Sequence, residues 1–125
     1  MDPNHARLSR CFTHRADSHI FDETLNVGVV NKLRVEWEAG ETKTKDEGPW
    51  VNRVIIRDLT DNSKVILDLK KTGKWNNPSG DWSLDFEIPV QPAKMAGHVC
   101  KALALLTAKV EIASFVESPL FCFVE

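Results

Sequence analysis

The residues best suited to bind a metal lie near the start of the chain. Cys11 and His14 have the spacing of a zinc ligand pair, with His19 downstream and His5 upstream. A structural zinc site uses four ligands in a tight pattern, often with paired cysteines, because the ion is held tetrahedrally. These residues are too scattered to meet that requirement. We interpret them as parts of a polar arm and predict no zinc site.

Carboxylates crowd the polar stretch that follows, where Glu38, Glu41, Asp46 and Glu47 are found. Hard cations such as calcium take six to eight oxygen ligands, and carboxylates are their usual source. Calcium is therefore the alternative that we keep for the predicted polar loop 40–48. The prediction itself is that the protein has no cofactor and no resident metal.

Residues that could catalyse a reaction are sparse. The chain has no Gly-x-Ser-x-Gly elbow, Walker loop, dinucleotide fingerprint or metalloprotease motif. Thr72-Gly73-Lys74 is too short for a phosphate loop, and the proximity of Cys100 to His98 is more typical of a structural pair than of a nucleophile and its base. We predict that the protein is not an enzyme.

A cluster of lysines beside tryptophans is the best candidate for a binding surface. Basic residues gain roughly 1 kcal/mol each at an anionic leaflet, and tryptophan rings favour the headgroup zone. The alternative interpretation is a solvated strand face balanced by Asp58, Asp61 and Asp68, with tryptophans anchoring a core edge. We predict that a membrane lipid surface or a protein partner binds at Lys70, Lys71, Lys74, Trp75 and Trp82.

The totals restrict the classes of function. A chain of 125 residues with 42% hydrophobic and 27% charged residues is the size of one ordinary domain. Its net charge of −2 gives no general attraction to nucleic acid, so any electrostatic partner must meet a local patch. Three cysteines, with no signal peptide and no apolar run long enough to span a bilayer, indicate reduced thiols in the cytoplasm.

The elements that must position these residues are strands. Leu33, Val35 and Trp37 alternate with charged residues, which is the period of a half-buried strand. Two further strands, 50–59 and 64–69, flank the turn-forming residues 60–63 and predict a hairpin. Trp82, Leu84, Phe86 and Ile88 form the clearest strand of all. This pattern predicts an all-β protein, an antiparallel β-sandwich.

Both ends of the chain lack this regular alternation. Residues 1–16 mix charged and polar types with isolated apolar ones, and we interpret them as an irregular arm with at most one short strand. The sandwich is predicted over 17–91. In the C-terminal segment 92–125, the Ala- and Leu-rich run 98–112 fits a helix or a strand equally well by periodicity.

Residues 50–59, with the sequence WVNRVIIRDL, resemble the most characteristic strand of PLAT (lipoxygenase-homology) domains. That strand has the form W-x-x-[RK]-V-x-[VI]-x-D-L, and the versions in polycystin-type membrane proteins are the most similar. Phe21, Val27-Gly28 and 32–35 resemble the family's preceding elements, Trp75 the end of its next strand, and 82–90 its closing strand. The resemblance covers about 17–90.

The resemblance implies a β-sandwich that docks its parent protein onto a lipid surface or another protein without catalysis. The family's first strand has no counterpart upstream of Arg7, and 92–125 matches nothing in the family. The expected sandwich is therefore incomplete, and the chain is expected to be a short form or fragment of a polycystin-like protein. Its place would be the cytoplasm or the cytoplasmic face of a membrane.

The alternative is an immunoglobulin-like or fibronectin-like sandwich, which would be a structural or adhesive domain. In that case residues 97–104 and 118–121 would supply its last two strands, and the C-terminal segment would belong to the core. The order of strands distinguishes the two architectures.

Overall fold

The computed structural model describes residues 6–15, 22–39, 49–74, 80–108 and 111–125. In these ranges the chain consists mostly of strands, whose side chains alternate between the inward and the outward direction. A single turn of 3-10 helix, Ala93–Met95, interrupts them. The strands are β1 (Ala6–Arg15), β2 (Thr24–Asn26), β3 (Asn31–Ala39), β4 (Pro49–Asp58), β5 (Lys64–Lys74), β6 (Gly80–Ile88), β7 (Val99–Ala108), β8 (Glu111–Glu117) and β9 (Phe121–Val124). The prediction of an all-β protein is confirmed.

The strands form two sheets that pack face to face. The first sheet has the order β1-β3-β6 and is antiparallel. The second sheet has six strands in the order β2-β9-β7-β4-β5, with β8 also paired to β7. Its pairs are antiparallel except for β2 and β9, which run parallel. The result is a β-sandwich of the predicted kind with one parallel pair.

The core lies between the sheets and follows the predicted alternation. Leu33, Val35 and Trp37 of β3 are buried, and the ring of Trp37 meets that of Trp50 on β4 edge-on with centroids 5.2 Å apart. Aromatic pairs favour this arrangement because a positive ring edge meets a negative face. Other core residues are Leu25, Val54, Ile56, Leu67, Phe86, Ile88, Phe121 and Phe123.

The predicted hairpin between β4 and β5 is also present. Asn62 and Ser63 in its turn have positive φ angles of 53° and 58°, which short polar side chains tolerate better than bulky ones. Strand β5 extends past the predicted end at Leu69 as far as Lys74. Near that end Gly73 lies under the ring of Trp50, and a Cβ there would stand 2.3 Å from Trp50 Cζ2. A glycine is therefore required for this contact.

The N-terminal segment differs from the irregular arm that we expected, because residues 6–15 form the ten-residue strand β1. Its register on β3 shifts between Leu8 and Arg10. This bulge places Leu8 and Cys11, which are three positions apart, on the same inward face. A bulge adds one residue to a strand and so breaks the period of two in the sequence.

The C-terminal segment lies within the six-stranded sheet. Strand β7 pairs with β4 along one edge and with β8 and then β9 along the other. Ser118 lies between β8 and β9 in the chain and binds Ala102 of β7. Its backbone N–H donates to Ala102 O and its Oγ accepts from Ala102 N, both at 2.9 Å. The described residues of the run 98–112 thus include β7 and the start of β8 and no helix, and β7 contributes to the core, as the immunoglobulin-like alternative requires.

Candidate functional site

The predicted binding residues lie on β5, on β6 and in the connection between them, but the described ones do not share a face. Lys70 pairs with Arg53 and is directed to the outer surface of the six-stranded sheet. Lys71 follows it and is directed to the opposite side, because side chains alternate along a strand. The side chains of Lys74 and Trp82, and all of Trp75, lie outside the described part of the chain.

Lys71 connects the two sheets along one side of the sandwich. Its Nζ donates a hydrogen bond of 2.7 Å to the backbone oxygen of Asp85 on β6 and stands 5.2 Å from the centroid of the Phe86 ring. Edge strands commonly carry lysines, which hinder pairing with another chain. This contact gives Lys71 a structural role within the sandwich.

Charged residues cover the outer face of the three-stranded sheet. Glu36 forms ion pairs with Arg10 and Arg34, and Asp85 contacts Arg34 at 3.7 Å and the ring of buried His14 at 3.1 Å. The bonded Arg10 guanidinium, with help from Arg34, holds the pKa of Glu36 below its usual value, and Glu36 in turn raises the pKa of Arg10. Arg10, Arg34, Glu36 and Asp85 therefore pair with one another on this face.

Cys11 and His14, which have the spacing of a zinc ligand pair, are separated by the pleat of β1. Cys11 pairs with Val35 and lies in the core, whereas His14 is directed to the other face, where its ring nitrogens contact Asp85 and Arg15 O. His5 and His19 lie outside the described residues, as do Glu41, Asp46 and Glu47 of the calcium alternative; Glu38 is on β3. In the described ranges, no three potential ligands cluster to hold a metal ion.

The Cys100 and His98 pair does not form a nucleophile and base. Burial raises the pKa of the Cys100 thiol to about 12, so it does not ionise near neutral pH. His98 Nδ1 is instead 2.7 Å from Asp58 Oδ2. A cavity of about 190 Å³ lies beside β2, β7 and β9 and has the half-buried Cys122 in its wall. The other wall residues are Glu23, Thr24, Val99, Leu120 and Phe121.

The outer face of the six-stranded sheet carries an apolar patch, which we call the apolar stripe. It consists of Ile55 on β4, Leu103 and Leu105 on β7, and Phe115 on β8. In register, Ile55 pairs with Leu103, and Leu105 pairs with Phe115, so the four side chains are neighbours on one face. Phe115 is 69% exposed, and the other three are partly exposed.

Ion pairs border the apolar stripe on both sides. Arg53 Nε and Nη2 bind the two carboxylate oxygens of Asp68 at 2.8 and 2.6 Å, which raises the pKa of Arg53 and lowers that of Asp68. Lys101 Nζ lies 2.5 Å from Glu117 Oε2. Apolar residues at the centre with polar residues at the rim are typical of protein interfaces.

The apolar stripe was not predicted as a site, although the sequence contains a signal for it. Residues 102–106 read ALALL, which as a strand makes both faces apolar, and Ile55 stands between Arg53 and Arg57 on an otherwise charged face. A strand buried on one face only is expected to be polar on the other. Since 98–112 also fitted a helix, this excess of apolar residues could not be assigned to a surface.

In the described ranges, no helix is long and apolar enough to cross a membrane. No protein-family model matches the chain, and no curated protein matches it either.

The comparison with solved structures finds similarity of fold at low sequence identity. A glycosyl hydrolase family 2 member from Bacteroides cellulosilyticus aligns over 94% of this chain with a TM-score of 0.59 and 9% identity. The sporulation control protein Spo0M from Bacillus subtilis aligns over 97% with a TM-score of 0.55 and 11% identity. The alkylpurine DNA glycosylase AlkC from Pseudomonas fluorescens, bound to DNA containing an abasic site analogue, aligns over 97% with a TM-score of 0.53 and 10% identity.

This chain spans only part of each of these structures: 15% of the glycosyl hydrolase, 50% of Spo0M and 31% of AlkC. At such identities the similarity concerns the fold and carries no activity from one protein to another. What the comparisons establish is a β-sandwich that also occurs as one part of longer and functionally different proteins.

Proposed function

We propose that this protein is a non-enzymatic docking module that binds a protein partner through the outer face of its six-stranded sheet. The observation that carries the proposal is the exposure of Phe115 at the end of a row of apolar residues on that face. Exposed apolar patches rimmed by polar residues mark interaction sites.

The contrast between the two outer faces supports this assignment. On the three-stranded sheet, Arg34 and Glu36 of β3 bind each other, and they also bind Asp85 on β6 and Arg10 on β1. On the six-stranded sheet, Leu103 and Leu105 expose apolar area that a partner would remove from water. Burial of an exposed phenylalanine contributes about 1.5–3 kcal/mol, so Phe115 has the properties of a binding hot spot.

A protein partner fits the described side chains better than an anionic membrane does. The lipid hypothesis needs the lysines of 70–74 on one rim, yet Lys70 and Lys71 are directed to opposite sides of β5. Lys71 also uses its ammonium group to bind Asp85 O. Docking onto a protein remains within what the resemblance to PLAT domains implies, and we retain a polycystin-like parent chain as part of the proposal. The three free cysteines support a location in the reducing cytoplasm or at its face of a membrane.

One observation favours the alternative of a structural, immunoglobulin-like domain. Strands β7, β8 and β9 are integral to the six-stranded sheet, as that architecture requires. In a structural domain the apolar stripe would pack against a neighbouring domain of a longer chain and would not bind a free ligand.

Selection of peptides from a display library against the folded domain tests the proposal. We expect the selected peptides to bind the wild-type domain at least tenfold more tightly than Phe115→Ser. Val90→Ser is the matched control, because Val90 is also exposed, at 54%, but lies away from the stripe. Both variants should keep wild-type stability to within about 0.5 kcal/mol, since neither side chain is in the core.

Three results would contradict the proposal. The first is selected peptides that bind Phe115→Ser and wild type equally. The second is the absence of any selected peptide, which the structural-domain alternative predicts. The third comes from vesicle flotation. If wild type and Phe115→Ser float equally well with vesicles that contain phosphatidylserine, and neither floats with phosphatidylcholine vesicles, the lipid hypothesis is supported instead.

A further inference from the structure

The charges around the apolar stripe are unequal in sign. The described side chains on this face include four cations, Arg53, Arg57, Lys70 and Lys101, but only two carboxylates, Asp68 and Glu117. The chain as a whole has a net charge of −2, so the surplus of two positive charges is a property of this face.

The surplus lies at two residues on one side of the stripe. Arg53 and Lys101 are neutralised by Asp68 and Glu117. Arg57 donates to the backbone oxygen of Ser63 at 3.1 Å and pairs with no carboxylate among the described residues. Lys70 is near enough to Asp68 to help lower the pKa of that carboxyl, but no ion-pair contact joins the two, and within the described part of the chain Asp68 is bound by Arg53. Arg57 and Lys70 are exposed, on β4 and β5, whereas Phe115 is on β8 beyond β7.

The dimensions of the apolar stripe suit a single helix. It extends over β4, β7 and β8, which are two strand spacings or about 10 Å across. A helix with its side chains is about 10–12 Å wide. Leu103 and Leu105 add length along β7, so that a row of apolar residues at helical spacing would meet them in succession. A basic partner, or a second copy of this face, would bring cations against Arg57 and Lys70.

We infer that the partner segment is an acidic amphipathic helix whose apolar side packs on Ile55, Leu103, Leu105 and Phe115 and whose carboxylates face Arg57 and Lys70. This inference rests on the proposed function and adds the chemistry of the partner. Complementary charge contributes to the choice of partner and to the rate of association.

Synthetic helical peptides provide the test. Three peptides share one row of leucines and differ only in flanking residues, which are Glu, Gln or Lys; a fourth has the composition of the Glu peptide with its leucine row scrambled. We expect the Glu peptide to bind about fivefold or more tightly than the Gln peptide at low salt, and the Lys peptide most weakly. The difference should shrink at 0.5 M salt, because screening weakens interactions between exposed charges.

Variants of the domain identify where the peptides bind. Arg57→Glu combined with Lys70→Glu should reverse the order of the Glu and Lys peptides, and Phe115→Ser should weaken all of them. The matched control is Lys32→Glu combined with Lys94→Glu, which changes the same net charge away from the stripe and should leave the order unchanged.

The outcomes separate the inference from the proposed function. Equal binding of the three leucine-row peptides, lost in Phe115→Ser, would overturn the acidic preference but leave docking at the stripe intact. Failure of all four peptides, with display-selected peptides still bound at Phe115, would overturn the helix. Binding of the scrambled peptide as tight as that of the Glu peptide would overturn recognition of an apolar row. If the display selection also fails, the proposed function fails with it.

Discussion

Lys71 on β5 reaches across the side of the sandwich and donates a hydrogen bond of 2.7 Å to the main-chain oxygen of Asp85 on β6. Opposite it, the backbone N–H of Leu8 on β1 donates to Ser114 Oγ on β8 at 3.0 Å. Side-chain to backbone hydrogen bonds thus join the two sheets along both sides. One of the three lysines that the sequence suggested for lipid binding thus forms a contact between the two sheets.

Replacement of Lys71 should therefore reduce stability more than replacement of its neighbour. We expect Lys71→Ala to lower the free energy of unfolding by about 1 kcal/mol, the usual net contribution of a hydrogen bond, and Lys70→Ala to change it by less than about 0.5 kcal/mol. Urea denaturation measures both values. An equal loss in the two variants would show that the contact with Asp85 contributes nothing.

Two buried asparagines should respond in opposite ways to the same substitution. Both amide atoms of Asn52 are buried without a hydrogen-bond partner among the residues that the structure describes, whereas Asn31 Nδ2 donates to Asn26 O at 3.0 Å. A buried polar group without a partner costs about 1–3 kcal/mol. We expect Asn52→Leu to raise the melting temperature and Asn31→Leu to lower it. A lower melting temperature for Asn52→Leu would mean that the amide is satisfied in solution.

The three thiols should differ in reactivity. Burial raises the pKa values of Cys11 and Cys100 to about 12, and the thiolate is the reactive form. Cys122 is only half-buried. With iodoacetamide at pH 8, peptide mapping should find Cys122 modified first in the folded protein and all three modified at similar rates in urea. Early modification of Cys11 would contradict its place in the core.

The stability that the ionised Glu36 contributes should be lost in acid. Arg10 and Arg34 lower its pKa in the folded state below the ordinary value of 4.5. A carboxyl group with a lowered folded pKa contributes stability that is complete above its unfolded pKa and is lost as pH falls through the folded value. The difference in unfolding free energy between wild type and Glu36→Gln should therefore shrink between pH 6 and pH 3. A difference that stays constant would place Glu36 outside the ion-pair network.

The sequence predicts those strands that have one apolar face and one polar face. The alternation of Leu33, Val35 and Trp37, and that of Leu84, Phe86 and Ile88, identified their strands because the opposite residues are polar. The full length of strand β1 was not predicted, and the segment was interpreted as an irregular arm with one short strand at most, because the bulge between Leu8 and Arg10 shifts the period. Strand β7 remained ambiguous because it is apolar on both faces, in the core at Ala104 and on the surface at Leu105.

The candidate site was harder to predict for a related reason. A pair such as Lys70 and Lys71 is adjacent in sequence, but the pleat of a strand directs the two side chains to opposite sides. The apolar stripe has the converse property, since Ile55, Leu103 and Phe115 are far apart in sequence and meet only through the pairing of β4, β7 and β8. Sequence proximity therefore grouped Lys70 with Lys71, which the strand separates, and gave no indication of the apolar stripe, whose residues are far apart in sequence.

Chemical-shift mapping of the labelled domain with a display-selected peptide tests the central claim most directly. Docking on the six-stranded sheet predicts that the perturbed signals centre on Ile55, Leu103, Leu105 and Phe115, while those of Arg34 and Glu36 on the other outer face stay in place. Perturbations centred on the three-stranded sheet, or on the connection between β5 and β6, would contradict the account.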